Sequence, residues 1–172
     1  MAATVSRRTF VKTGLIGALT LTTAGGLYRA TLRPVMLGKF VLDGAAKSAL
    51  CAIIPVVLKD AIEPAPAQIS IAIARVQDAI SGLPFATQKE IADLFGLLTL
   101  GPARRFLAGV PDDWPQAKQE DIAAFLQSWR LHRFALLQSA YHALHDLITG
   151  AWYADPSTWA TIGYPGPLKE LS

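Results

Sequence analysis

Apolar residues recur at intervals of three and four along most of the chain after residue 43, which is the period of an amphipathic helix. The clearest stripe is Ile69, Ile73, Val76 and Ile80, whose spacings of 4, 3 and 4 place the side chains on one helical face. No stretch alternates apolar and polar residues as a half-buried strand does. The pattern therefore predicts an all-α domain.

Local signals set the ends of the predicted helices. Asp43 is a good N-cap for a first helix, and Pro55 is expected to kink or break that helix because proline lacks the backbone N–H. A second helix is predicted over residues 67–80. Thr87 and Glu90 have the spacing of a capping box, which predicts that the third helix opens at Thr87.

The second half of the chain predicts one or two further helices. Pro115 suits the first turn of a fourth helix, because proline is tolerated where the N–H is unpaired. The apolar pattern continues from there to Gly150, which is long for one helix of a small domain. We therefore expect a break or bend between Arg130 and Arg133.

The C-terminal end differs in composition from the rest. Residues 151–167 contain three prolines, two glycines and four aromatic residues, which are Trp152, Tyr153, Trp159 and Tyr164. Such a segment predicts rigid, non-helical backbone that packs against the bundle or against another protein. The expected fold is all-α: a small bundle of four to five helices over residues 31–172, with an irregular aromatic C-terminal tail.

The N-terminal 30 residues have a pattern of their own. A basic segment is followed at once by an apolar run over residues 14–27, and the first acidic residue is Asp43. The basic segment reads Arg-Arg-x-Phe-x-Lys after a serine, formed by Ser6, Arg7, Arg8, Phe10 and Lys12. This layout resembles the twin-arginine export signal of bacteria, an address that a receptor reads on proteins that have already folded.

We therefore expect residues 1–30 to engage the twin-arginine translocase and the domain to be located in the periplasm. The apolar run is shorter than the roughly 20 residues that a membrane-spanning helix needs. The small-x-small cleavage patterns at residues 22–24 and 28–30 are poor. Two fates of the segment stay open, namely cleavage after export and retention as a tether to the inner membrane.

Charge and cysteine content exclude several classes of function. Residues 1–30 hold four basic side chains and no acidic one, whereas the remainder has twelve basic and thirteen acidic residues. The net charge of +3 thus belongs to the signal segment, and the domain is not expected to bind nucleic acid. A single cysteine, Cys51, allows no internal disulfide, haem-attachment pair or iron–sulfur ligand set within this chain. Its apolar neighbours predict a buried, inert thiol.

Few polar residues suggest chemistry. His142 and His145 lie three residues apart on one predicted helix, and Asp146 follows one turn after His142. Such groups can bind a metal, but a pair of histidines at this spacing is common by chance, so a surface or partly buried histidine pair is the preferred interpretation. An i,i+4 pair of His142 with Asp146 is the simple alternative. Arg104 and Arg105 are expected in a solvated turn. The sequence has no dinucleotide fingerprint, phosphate-binding loop or nucleophile elbow.

The C-terminal residues resemble the end of a known family. The chain reads Gly-Ala-Trp-Tyr-Ala-Asp-Pro over residues 150–156, then Trp159, then Ile-Gly-Tyr-Pro-Gly over residues 162–166. With the twin-arginine-like leader and an apolar helix that runs into Pro55, it resembles the small subunit (gamma, or subunit 3) of membrane-associated gluconate 2-dehydrogenase. That family includes small subunits of flavin-dependent dehydrogenases of the glucose–methanol–choline type. Many members carry Tyr-Gly-Gly-Asn after the Asp-Pro pair, and this chain does not, so the partner's substrate stays open.

The resemblance implies a non-catalytic subunit with no cofactor of its own. Such a subunit binds a large dehydrogenase that holds FAD, escorts it through twin-arginine export and stabilises it in the periplasm. Electrons would pass from the flavin to a separate haem electron-transfer subunit. The residues expected to bind the partner are Trp152, Tyr153, Asp155, Pro156, Trp159, Gly163, Tyr164, Pro165 and Gly166.

Two other functions are compatible with the sequence. One is a free-standing periplasmic helical module that binds a hydrophobic ligand, which predicts an enclosed apolar cavity. The other is a small metal-dependent enzyme built on His142 and His145, which predicts polar groups converging in a cleft. An accessory subunit instead predicts a large exposed apolar patch.

Overall fold

The computed structural model describes residues 40–166. This part of the chain contains six α-helices and two short 3₁₀ helices, and no strand. In chain order they are α1 (Gly44–Val57), α2 (Pro66–Ser81), α3 (Phe85–Thr99), α4 (Gly101–Phe106), η1 (Trp114–Gln116), α5 (Gln119–Arg130), α6 (Ala135–Tyr153) and η2 (Pro156–Ile162). The all-α prediction is confirmed, with five long helices and one of six residues.

Helix α1 lies at the centre of the bundle. It packs against α2, α3, α5, α6 and η1. Its side chains Leu50, Ile53 and Ile54 are completely buried. The Asp43 carboxylate caps the helix as predicted, because it accepts a hydrogen bond of 2.7 Å from the Ala46 N–H.

Two expectations about α1 need correction. Pro55 does not break the helix where it stands, since α1 continues to Val57. The missing N–H of proline removes one hydrogen bond close to the helix end, where the last turn is already incomplete. Cys51 is exposed, because it lies on the solvent side of α1 rather than on the face that carries Ile53.

The capping box at Thr87 is not formed. Helix α3 begins two residues earlier, at Phe85, and Thr87 lies inside its first turn. The turn from α2 is short, and the side-chain amide of Gln88 closes it by donating to the carbonyl oxygens of Ser81 at 3.3 Å and Leu83 at 2.8 Å. These bonds tie the first turn of α3 to the turn before it, at the earlier helix start.

The region before α5 also differs from the prediction. Pro115 belongs to the separate 3₁₀ helix η1, whereas α5 starts at Gln119. The reason is the burial of Trp114, whose indole Nε1 donates a 3.0 Å hydrogen bond to the Leu98 carbonyl oxygen. Trp114 thereby holds η1 against the end of α3.

The expected break in the long apolar pattern is confirmed. Helix α5 ends at Arg130 and α6 begins at Ala135. The His132 imidazole accepts from the Phe134 N–H at 3.1 Å, and the Gln138 amide donates to the His132 carbonyl oxygen at 2.8 Å. Helix α6 then runs past Gly150 to Tyr153, so the predicted end at Gly150 is wrong.

Neighbouring positions on α1 give a direct test of this core. Ile53→Ala should lower the free energy of unfolding by about 2–5 kcal/mol, because a fully buried side chain leaves a cavity. Cys51→Ala is the matched control, and it should change that free energy by less than about 0.5 kcal/mol because the thiol is exposed. Urea denaturation of both variants measures the difference, and equal effects would contradict this placement of α1.

Candidate functional site

The residues predicted to bind a partner form one continuous segment at the end of the bundle. Trp152 and Tyr153 form the last turn of α6, and Pro156 opens η2, which also contains Trp159. The prediction of an irregular tail is therefore wrong for most of this segment, which is helical up to Ile162. We refer to residues 152–166 as the C-terminal segment.

Arg75 of α2 fixes the start of the C-terminal segment. Its guanidinium forms an ion pair with the Asp155 carboxylate and donates to the Trp152 carbonyl oxygen at 3.4 Å. The guanidinium carbon also lies 4.7 Å from the centroid of the Trp152 ring, which is a cation–π geometry. One side chain of α2 thus holds three groups that lie about 80 residues further along the chain.

Asp155 has a second role as the N-cap of η2. Its carboxylate accepts a hydrogen bond of 2.8 Å from the Ser157 N–H. This bond holds the pKa of the Asp155 carboxyl below its usual range, and the Ser157 hydroxyl and the Arg75 charge act in the same direction. The carboxylate is therefore ionised, and it joins α2, α6 and η2 at one point.

Further hydrogen bonds shape the segment from within. The buried Thr158 hydroxyl donates to the Asp155 carbonyl oxygen at 2.8 Å, and the Trp159 indole donates to the Tyr153 carbonyl oxygen at 2.8 Å. The Trp159 and Tyr164 rings meet edge to face, with centroids 5.2 Å apart. The segment is accordingly a folded element with a defined surface.

The backbone conformation explains why glycine occupies two positions of the Ile-Gly-Tyr-Pro-Gly motif. Gly163 ends η2 with a φ of 68°, in the left-handed region that favours glycine. Gly166 has a φ of 94°, and a Cβ at this position would come within 3.2 Å of the Trp159 ring. The motif therefore turns the chain sharply and returns it over the indole.

Exposure separates the structural residues of the segment from those open to a partner. Trp152 is only 6% exposed and belongs to the core. Ile162 and Tyr164 are 51% and 46% exposed, and Pro165 beside them is also exposed. The apolar surface available to a partner is thus the end of η2 and the turn after it.

A groove of about 530 Å³ lies beside the C-terminal segment. Arg75, Trp152 and Thr158 line it together with Gln68 and Glu63. The buried Trp152 Nε1 has no hydrogen-bond partner among the described residues. The groove is open and its lining mixes polar and apolar side chains, unlike the enclosed apolar cavity that a carrier of hydrophobic ligands would have.

The histidines do not converge on a site. His142 is exposed, and His145 Nδ1 lies 3.1 Å from Asp146 Oδ1, so the expected pair of His142 with Asp146 is replaced by one between adjacent residues. Tyr141 contacts both imidazole rings. Within residues 40–166, no three histidine, cysteine or carboxylate side chains are grouped as metal ligands would be.

A second exposed surface, which the sequence did not predict, lies where α4 ends and where α5 connects to α6. Its protruding side chains are Phe106, Leu136 and Leu131, which are 90%, 79% and 70% exposed, together with the exposed Leu107 and Phe134. We call these five residues the apolar end surface. The only sequence signal of this surface is that Leu131, Phe134 and Leu136 lie at the break between α5 and α6. Apolar residues at such a break are not needed to form the core.

The expectation of a solvated Arg104-Arg105 turn is wrong for the first arginine. Arg104 is buried, and its guanidinium pairs with the Asp113 carboxylate at 2.6 Å. Arg105 is exposed and donates to the Pro111 carbonyl oxygen at 3.1 Å. Both arginines therefore fasten α4 to the loop that leads to η1.

The predicted targeting residues Ser6, Arg7, Arg8, Phe10 and Lys12 lie outside the described residues. So do residues 1–30 as a whole, together with the last proline of the aromatic stretch, Pro167. In the part of the chain that is described, no helix has both the length and the apolar character needed to cross a membrane.

The hydrogen bond and ion pair of Asp155 predict that the order of the C-terminal segment depends on pH. A lowered pKa means that the carboxylate stabilises the folded segment above its unfolded pKa of about 3.9 and loses this contribution as the pH falls through the lower folded value. The Trp159 indole signal in ¹H–¹⁵N spectra should therefore lose its protection from exchange below about pH 4. In Asp155→Asn this dependence should be much weaker, while the exposed control Asp146→Asn should behave as wild type. Identical acid profiles in all three proteins would contradict this role of Asp155.

Comparison with known proteins assigns no function to the C-terminal segment or to the apolar end surface. No protein-family model, no characterised protein and no solved structure is significantly similar to this chain. A function must therefore be inferred from the geometry of the described residues and from the motifs in the sequence.

Proposed function

We propose that this protein is a non-catalytic accessory subunit that binds the large subunit of an FAD-dependent dehydrogenase. It accompanies that subunit through twin-arginine export and stabilises it in the periplasm. The observation that carries the proposal is the C-terminal segment, which is fixed to the bundle by Arg75 and yet leaves Ile162 and Tyr164 exposed. Exposed apolar side chains held on an ordered backbone are available to contact a partner.

The geometry of the segment suits protein recognition. Tyr and Trp are enriched at the centres of protein interfaces. The C-terminal segment contains both types, and the Tyr164 and Trp159 rings pack edge to face. The hydrogen bonds of Asp155 and Trp159 order the backbone before a partner arrives. Binding then costs little conformational entropy, so more of the contact energy remains as affinity.

The sequence supports the export part of the proposal. The Arg-Arg-x-Phe-x-Lys motif before an apolar run resembles the address that the twin-arginine translocase reads on folded proteins. A folded subunit that carries this address can bring a bound partner with it. In this proposal the FAD belongs to the partner, and a separate haem subunit accepts the electrons.

The alternative of a free-standing module for a hydrophobic ligand has less support. The groove beside the C-terminal segment is open, and the Arg75 and Glu63 side chains in its lining favour polar contacts. Exposed apolar side chains at the end of η2 are of no use to such a module. They are expected in a subunit.

The interface can be tested by co-purification from periplasm. Ile162→Ser combined with Tyr164→Ser should weaken binding of the flavoprotein at least about tenfold, because two exposed anchors lose their apolar contacts while the core stays intact. The matched control is Leu131→Ser with Leu136→Ser, which removes as much exposed apolar surface elsewhere. The control should co-purify with the flavoprotein as wild type does. If the control loses the flavoprotein and the first variant keeps it, the C-terminal segment is not the interface.

The escort role predicts a shared export defect. Arg7→Lys with Arg8→Lys should leave both this protein and its flavoprotein partner in the cytoplasm, because the partner depends on this chain's address. Cell fractionation with immunoblotting measures both proteins, and a periplasmic protein with its own cleavable signal is the control. Normal export of the flavoprotein in this variant would refute the escort role.

A further inference from the structure

The apolar end surface is a shaped feature of the fold rather than a loose loop. The fully buried Trp129 donates a 2.9 Å hydrogen bond from its indole to the Leu107 carbonyl oxygen, which joins α4 to the end of α5. Phe106 and Phe134 both line an open groove of about 410 Å³. Leu131 and Leu136 adjoin the lining residues His132 and Leu137 in the chain, and their side chains are 70% and 79% exposed.

The surroundings of this surface are positively charged. Arg105 lies in the last turn of α4, directly before Phe106. Arg130 and Arg133 lie close to Leu131 in the chain, and the Arg133 guanidinium carbon is 4.8 Å from the centroid of the Phe134 ring. The two stretches that build the surface, residues 94–111 and 122–145, contain no acidic residue. Of the two acidic residues that follow the first stretch, Asp112 is exposed and Asp113 is paired with Arg104. Whatever covers this end must therefore be both apolar and negatively charged.

This requirement argues against two occupants. The N-terminal segment of the same chain is apolar but carries four basic residues and no acidic one before residue 31. A second copy of the domain would bring the same arginines against each other. In both arrangements, basic side chains would lie close to other basic side chains in a contact that partly excludes water and screening ions. Their repulsion opposes binding.

The residue types favour lipid over a protein surface. Leucine is under-represented among the anchors of protein interfaces, where tryptophan, tyrosine and arginine dominate. Leucine and phenylalanine tips surrounded by arginine are typical of segments that sink into the boundary between lipid headgroups and acyl chains. Apolar side chains that protrude separately can enter a fluid lipid layer without matching pockets. The aliphatic part of an arginine side chain can lie along the apolar surface while its guanidinium stays at the lipid phosphates.

We propose that the apolar end surface binds the surface of a bilayer that contains anionic lipid. Phe106, Leu131 and Leu136 enter the headgroup boundary, and Arg105, Arg130 and Arg133 contact lipid phosphates. Helix α6 starts at this surface and ends at the C-terminal segment, and its 19 residues span about 28 Å at 1.5 Å per residue. The C-terminal segment therefore faces away from the bilayer. This proposal does not depend on the function proposed above.

The test uses the full chain in a Cys51→Ser background, with one environment-sensitive fluorophore attached to an introduced cysteine. The probe position is Leu131→Cys, and the control position is Thr161→Cys in η2, at the other end of α6. Vesicles of phosphatidylglycerol and phosphatidylcholine in equal parts are compared with pure phosphatidylcholine. Any attachment through the N-terminal segment would be the same in both labelled proteins, so a difference between the two positions reports on the domain alone.

With anionic vesicles, the label at residue 131 should shift to the blue and be quenched by brominated acyl chains, while the label at residue 161 should not change. Arg130→Gln with Arg133→Gln should raise the lipid concentration for half-maximal shift by roughly thirtyfold, given the usual contribution of a basic side chain at an anionic surface. Lys47→Gln with Lys59→Gln, two exposed lysines outside the surface, should leave it unchanged.

Four results would overturn the proposal. One is the absence of a shift at residue 131, and another is an equal shift at residues 131 and 161, which means attachment through the N-terminal segment. A shift that grows with protein concentration in the absence of vesicles means that a second copy covers the surface. A shift produced by the purified flavoprotein and not by vesicles means that a protein does.

Discussion

The burial of α1 is the constraint on which the rest of the domain depends. Leu50, Ile53 and Ile54 are fully enclosed because α2, α3, α5 and α6 all pack on this one helix. Apolar surface removed from water is the dominant favourable term in folding, and here it is concentrated on a single central element. The positions of α2 and α6 follow from that packing, and with them the two surfaces at the ends of α6.

Those two surfaces differ in chemistry as well as in position. The C-terminal segment exposes an aromatic side chain and prolines on a backbone ordered by Asp155 and Arg75. The apolar end surface exposes leucine and phenylalanine close to Arg105, Arg130 and Arg133. Rigid aromatic surfaces suit recognition of one defined protein, whereas aliphatic tips with cations suit a fluid anionic layer. The proposed roles assign one surface to each kind of partner.

The sequence predicted those features that depend on neighbours within one helical turn. The Asp43 cap and the helix that buries Val76 and Ile80 follow from residues three or four positions apart, although Ile69 and Ile73 of the predicted stripe are only partly buried. The break after Arg130 follows from the length of the apolar pattern. The errors arose where a contact from outside the helix decided the outcome. Gln88 starts α3 ahead of Thr87 by closing the turn from α2, and the burial of Trp114 separates η1 from α5.

For this protein, the amino-acid order alone determined an all-helical class, an address-like N-terminal motif and an aromatic, proline-rich end. The tertiary structure alone decided that Arg75 meets Asp155, that Arg104 is buried against Asp113, and that Phe106 stands beside Phe134. The physical reason is that helical periodicity tells which face of an element is buried but not which distant element will cover it. That choice is made by packing of the whole core, and it also leaves the two ends of α6 exposed.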